Sequence, residues 1–324
     1  MDGTWLVSEN SSAGHRSRRL LRVVVQWLIP LAILIAFVLS GHFGDAVSTL
    51  GDVHPGWAAA LVVVGIALPL SHAWRWCFLL RRVGERMRLA TSARMTALAS
   101  LLNYAAPGFL GAPAKAIFAR NDNGIPVSRS LPTLVAEQTL DALLLLIAAA
   151  VAILFAGPVL IPALLDLITF ERSLYTVMVV IAGAFAVAVG WVVVRRLLPA
   201  FSESLGASLR LLVQGRDDLL PISVLTLSRW LLDMLAVGIA SIAVGLRLNI
   251  VEVLLIANLS LLAGLIAPVP GGLGVREAVM AALAGVLGIS VPAILALSVL
   301  HRAGLGIGLP VVFGWARVRE WRGG

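Results

Sequence analysis

Glu137 and Asp141 stand four residues apart inside an apolar run, so a helix there puts both carboxylates on one face. A carboxylate at the centre of a bilayer costs about 2.5–3.5 kcal/mol on insertion scales, and two like charges at this spacing repel. The pair calls for a cationic partner, a bound proton or a polar cavity, and ionisable residues in such segments mark pathways and relays. A structural ion pair with Arg75 or Arg302 is the competing explanation. Arg276 and Glu277 close the stretch Pro268-Val269-Pro270-Gly271-Gly272-Leu273-Gly274-Val275, a helix-breaking turn between apolar segments. A half-helix starting there directs backbone N–H groups at an anion, and Arg276 adds a planar donor fork suited to phosphate. Plain location at the external interface is the alternative for both residues. Lys115 holds the corresponding place after a shorter upstream copy, Pro107-Gly108-Phe109-Leu110-Gly111, 163 residues earlier.

Other charged positions are read in the same way. Arg302 lies mid-run in 291–316, where an arginine needs a partner, which makes it a headgroup candidate; His301 beside it is a proton-relay option. Arg75, between Trp74 and Trp76 near the end of its run, fits either a snorkelling interfacial residue or a headgroup contact. Arg229 and Asp233, again four apart, are expected to pair with each other in a structural role. Gly304 and Gly308 form a small-xxx-small pair suited to close helix packing.

The elements that carry these residues follow from composition. A chain of 324 residues that is 60% hydrophobic and 13% charged has more apolar surface than a soluble globule buries. It is read as an all-α polytopic membrane protein. Runs long enough to cross a bilayer occur at 20–40, 57–80, 131–156, 173–197, 219–245 and 291–316, giving six crossings. Two further stretches, 90–119 and 250–287, are each interrupted by the Pro-Gly-x-Leu-Gly element, and each reads as a broken hairpin that enters and leaves on one side.

Charge fixes the orientation. The net charge of +8 comes mostly from arginines clustered beside apolar runs, the positive-inside pattern rather than a nucleic-acid surface. With the basic N-terminus inside, segment 81–94 and the four arginines of 195–216 also fall inside, while 41–56, carrying Asp45 and Asp52, falls outside. This arrangement holds only if 90–119 is a hairpin. Three crossings separate the two hairpins, so they dip in from opposite sides and the halves, about 57–156 and 219–316, form an inverted repeat. Gly124-Ile125-Pro126-Val127 recurs as Gly288-Ile289-Ser290-Val291, one residue out of step, and the identity between the halves is sparse. Such a pair of interrupted segments points to a substrate site near the midplane.

The expected organisation is a cytoplasmic tail over 1–19, one transmembrane domain over 20–316 and a cytoplasmic tail over 317–324, in the cytoplasmic (inner) membrane. The run Val23 to Ser40 is long for a signal peptide and is read as an uncleaved anchor. One cysteine, Cys77, excludes an intramolecular disulfide and any multi-cysteine metal site. There is no G-x-x-x-x-G-K-[ST] loop and no H-E-x-x-H, so no cofactor is expected, and transport would be passive, ion-coupled or driven by another protein.

Several of these residues carry a resemblance. Pro270-Gly271-Gly272-Leu273-Gly274-Val275-Arg276-Glu277 is similar to the P-G-G-[LI]-G-x-R-E hallmark of the lysylphosphatidylglycerol synthase transmembrane-region family of flippase-like membrane proteins. Arg75-Trp76 with Leu79-Leu80 resembles its R-W-x-x-L-L segment, Asn103 with Pro107 and Gly111 its N-x-x-x-P-x-x-x-G pattern, and Glu137 with Asp141 its E-x-x-x-D pair. Two positions depart from the family pattern: Ala112 where an acidic residue is usual, and Gln138 where an arginine is usual. The resemblance implies movement of a lipid or lipid-linked headgroup, most simply a phosphate-bearing membrane lipid. The resemblance and the charged positions together give the headgroup candidates Arg276, Glu277, Gly271, Gly272, Gly274, Lys115, Pro107, Gly111, Asn103, Arg75 and Arg302, with Glu137, Asp141 and His301 as coupling groups. Two rival readings stay open: an intramembrane lipid-phosphate transferase or phosphatase, and a non-transporting scaffold for a synthase or glycosyltransferase partner.

Overall fold

The computed structural model describes residues 42–105, 110–169, 216–267 and 269–323, together with residue 35. The expected crossings at 20–40 and 173–197, the tail over 1–19, and Pro107 lie outside the described residues. Nine helices make up the rest, with no strand among the described residues: α1 (His42–Gly51), α2 (Pro55–Arg82), α3 (Leu89–Ala105), α4 (Gly111–Asn123), α5 (Val127–Thr169), α6 (Arg216–Ala243), α7 (Ile250–Ile266), α8 (Val275–Leu287) and α9 (Val291–Gly323). Four of them contain segments long and apolar enough to cross a membrane: Pro55–Arg82, Val127–Pro158, Leu220–Ala243 and Val291–Arg322. These coincide with the four expected crossings that fall on described residues.

Each interrupted stretch is a pair of shorter helices. At about 1.5 Å per residue, the 17 residues of α7 reach about 25 Å, short of the roughly 30 Å hydrocarbon core, and α3 is described over 17 residues. The 13 residues of α4 and of α8 reach about 20 Å. Over the described residues, the helices run 28, 17, 13 and 43 residues in the first half and 28, 17, 13 and 33 in the second. The matching joints are punctuated alike: left-handed glycines close α4 at Gly124 and α8 at Gly288.

Local chemistry sets these boundaries. Pro55 opens α2, with His54 Nδ1 accepting from the Gly56 N–H at 3.1 Å. Asn249 caps α7 by accepting from Val251 and Glu252 N–H at 3.0 Å each, and Glu252 returns a bond to the Asn249 N–H at 2.8 Å. One element was not anticipated: α1 forms inside the 41–56 connection and packs on α9, burying Ala46 in the main core. The 317–324 stretch, expected as a tail, continues α9 as helix to Gly323.

Packing interleaves the two halves. Helix α2 lies against α3, α6 and α9, while α9 also touches α3, α6 and α8. Glycines bring α2 and α9 together, since a Cβ on Gly308 would land on the backbone of Gly65, and one on Gly304 would meet Leu61 Cβ at 2.7 Å. Apolar side chains such as Leu146, Leu154, Phe155 and Leu220 point outward and are exposed, as lipid-facing helices require. Several charged groups, among them Arg75, Lys115, Glu137, Asp233 and Arg276, are buried.

Candidate functional site

Arg75, on α2, is completely buried and holds two acidic residues of α5, Glu137 and Asp141. Its Nε donates to Glu137 Oε1 at 3.2 Å, and its two terminal nitrogens donate to the two oxygens of Asp141 at 2.6 and 2.8 Å. Thr226 of α6 accepts a further bond at 3.2 Å. Lys115, on α4, reaches Glu137 Oε2 at 3.4 Å and lies 4.3 Å above the Trp76 ring. Arg229 pairs with Asp233 at 2.9 Å, as the spacing suggested, and also with Asp141 at 3.2 Å. Its Nε donates to His72 Nε2 at 2.6 Å, so the free N–H of His72 is on Nδ1, which faces Glu137 at 3.5 Å. The pairing alternative for Glu137 and Asp141 is thus realised through Arg75, within a network that ties α2, α4, α5 and α6.

The second turn forms a separate cluster. Gly271, Gly272 and Gly274 have φ of 57°, 63° and 80°, which only glycine adopts without strain. A Cβ on Gly272 would meet the Cα of Gly264 at 2.7 Å, so the turn presses directly on α7. Arg302, from α9, clamps it: Nε donates to Glu277 Oε1 at 2.7 Å, Nη1 to the Gly271 carbonyl at 2.9 Å and Nη2 to the Gly272 carbonyl at 3.3 Å. Glu277 also accepts from Ser298 at 2.8 Å and from the Gly274 N–H at 2.7 Å. One amide at the start of α8 is therefore already capped by the helix's own carboxylate.

Arg276 differs from its neighbours. It is only 9% exposed, and its Nε has no hydrogen-bond partner. Among the described buried cations, Arg75 and Lys115 make ion pairs and Arg276 makes none. Its aliphatic stem lies along Gly264, where a Cβ would meet Arg276 Cγ at 2.7 Å. His301, 1% exposed, likewise has both ring nitrogens unpartnered.

The tips of the two broken hairpins touch. The Gly271 N–H donates to the Asn103 carbonyl at 2.7 Å, and the Asn103 side chain accepts from the Gly111 N–H at 2.8 Å across the first turn. Beside this contact lies a cavity of about 280 Å³ whose polar lining includes His72, Asn103, Tyr104, Arg229, Asp233, Arg276 and Arg302. At ~30 Å³ per water this holds about nine waters, enough for a small polar headgroup and far too little for acyl chains.

The sequence candidates thus divide. Arg276, Arg302, Gly271 and Asn103 line the cavity. Arg75, Lys115, Glu137 and Asp141 form the adjoining ion network; Gly272, Gly274, Gly111 and Glu277 shape the turns; Pro107 lies outside the described residues. Sequence reasoning missed His72 and Tyr104 at the cavity and Gly264 beneath Arg276, and gave Arg229 and Asp233 no part in it. A signal existed for the last two, since charged residues inside an apolar run face the protein interior. The family model for the lysylphosphatidylglycerol synthase TM region matches residues 20–310. No curated protein and no solved structure matches the chain.

Proposed function

The chain belongs to the lysylphosphatidylglycerol synthase TM region family, and from that premise we propose that it is a flippase-like translocator of an anionic phospholipid or lipid-linked headgroup across the cytoplasmic membrane. The observation that carries this reading is the unpaired guanidinium of Arg276 at a polar cavity between the two hairpin tips. A buried cation without a counter-ion is costly, so its retention makes sense where a mobile anion supplies the missing charge. The headgroup would enter the cavity while its tails stay in the bilayer. Two hairpins entering from opposite faces would give the cavity alternate access to each leaflet.

The ion network around Arg75 would hold α2, α4, α5 and α6 in register during that exchange. Glu137 and Asp141 would couple to a proton or to a cationic group on the cargo only if a step of the cycle loosened the network.

Reconstitution in liposomes with fluorescent and native anionic lipids tests the proposal. Wild-type protein is expected to move lipid faster than empty vesicles, and Arg276→Ala to lower the rate about 10- to 100-fold, as removal of a charge-assisted contact predicts. Rates equal to those of empty vesicles across the lipid panel would reject transport. Chemically altered lipid recovered from the vesicles would instead support the transferase or phosphatase reading.

A further inference from the structure

We infer that the cavity recognises a group carrying one negative charge, a phosphodiester, and excludes phosphate monoesters and pyrophosphates. This deepens the translocation reading and rests on its assumption that a lipid headgroup is the occupant.

The argument is a charge count. In the network beside the cavity, Arg75, Lys115 and Arg229 face Glu137, Asp141 and Asp233, three cations against three anions. His72 adds no charge, because its Nε2 accepts from Arg229 and so carries no proton. At the second turn Arg302 is matched by Glu277. Arg276 is then the single uncompensated charge of the cluster among the described residues.

Ion pairing leads to the same residue. Three guanidiniums line the cavity: those of Arg229, Arg276 and Arg302. Arg229 donates to His72 and forms ion pairs with Asp141 and Asp233. Arg302 forms an ion pair with Glu277 and donates to the carbonyls of Gly271 and Gly272. Of the three, Arg276 alone has no carboxylate within ion-pair distance and a buried Nε without a partner. A phosphodiester neutralises it. A dianionic monoester, or a pyrophosphate, would leave surplus negative charge in a cavity whose wall already holds Asp233, and a surplus buried charge is strongly disfavoured. The hydroxyl of Tyr104 and that of Ser100, both on the cavity wall, supply neutral donors for the remaining headgroup atoms.

Two measurements on the full-length protein separate this inference from the reading beneath it. The first is thermal shift of detergent-purified protein with short-chain phosphatidylglycerol, short-chain phosphatidic acid and a polyprenyl pyrophosphate at pH 8. The second is movement of the same lipid classes in proteoliposomes. Phosphatidylglycerol is expected to stabilise the protein at concentrations at least tenfold lower than the other two, and to move at least tenfold faster. Arg276→Gln should abolish the preference, whereas Ser298→Ala, which removes only a hydroxyl contact to Glu277, should keep it. Equal or stronger responses to phosphatidic acid or the pyrophosphate would overturn the charge-selection inference and leave translocation standing. Diester-selective binding without movement would support selection and sink translocation.

Discussion

Arg276 and Arg302 lie close together at the second turn yet should respond oppositely to substitution. Arg302→Gln strands Glu277 and releases two turn carbonyls, so a loss of about 3–5 kcal/mol is expected, visible as a lower melting temperature in detergent. Adding Glu277→Gln should recover part of that loss, because a buried carboxylate would no longer lack its partner. Arg276→Gln removes a charge that has no counter-ion, so stability should stay level or rise while lipid movement falls. A large destabilisation by Arg276→Gln would show that the guanidinium supports the fold instead of awaiting a ligand. Residue types alone identified both arginines as important but did not distinguish these roles, since pairing depends on which donors the fold leaves free. Arg75 is the clearest case: its acidic partners stand 62 and 66 residues away, beyond any local spacing rule, and only packing of α5 against α2 unites them. His72 gave even less signal, being a lone histidine in an apolar run whose partner Arg229 lies 157 residues on.

At the level of elements, the broken helices were readable because proline and glycine punctuation interrupts apolar runs at fixed places. The half-helices over 89–123 and 250–287 follow from that punctuation, and so do the four described crossings. Helix α1 was not readable: its ten residues derive their order from packing Ala46 into the core, and a short amphipathic segment has little intrinsic helicity. The role of Gly264 was equally hidden, since it lies in mid-helix and its purpose appears only once Arg276 is folded over it. Gly264→Ala should push the Arg276 stem aside and reduce transport with a modest stability loss of about 1–3 kcal/mol. Gly308→Val is predicted to cost more, because its side chain would meet the backbone of Gly65 in α2, which cannot move aside as the flexible arginine can. Comparison of the two melting temperatures would check the order, and a smaller loss for Gly308→Val would contradict the close α2–α9 packing.

For the molecule as a whole, the expected inverted arrangement makes a topological prediction. The connections after α2 and after α6, at 83–88 and 244–249, should lie on opposite faces of the membrane. In a background with Cys77 replaced by serine, Arg86→Cys should label from the cytoplasmic side and Arg247→Cys from the outside with an impermeant maleimide. Labelling of both from one side would break the scheme of two opposed hairpins. The equal 13-residue lengths of α4 and α8 agree with a duplicated unit. The second tip includes Gly271, whose amide meets the carbonyl of Asn103. Because both partners of that bond are main-chain atoms, no side-chain truncation removes it alone, and alanine or cysteine at Gly271 would strain the turn at the same time. Proline, the one coded residue lacking the donor, cannot adopt the φ of 57° found there. Replacing the amide with an ester by chemical synthesis is therefore the route by which the grip between the two halves can be weighed.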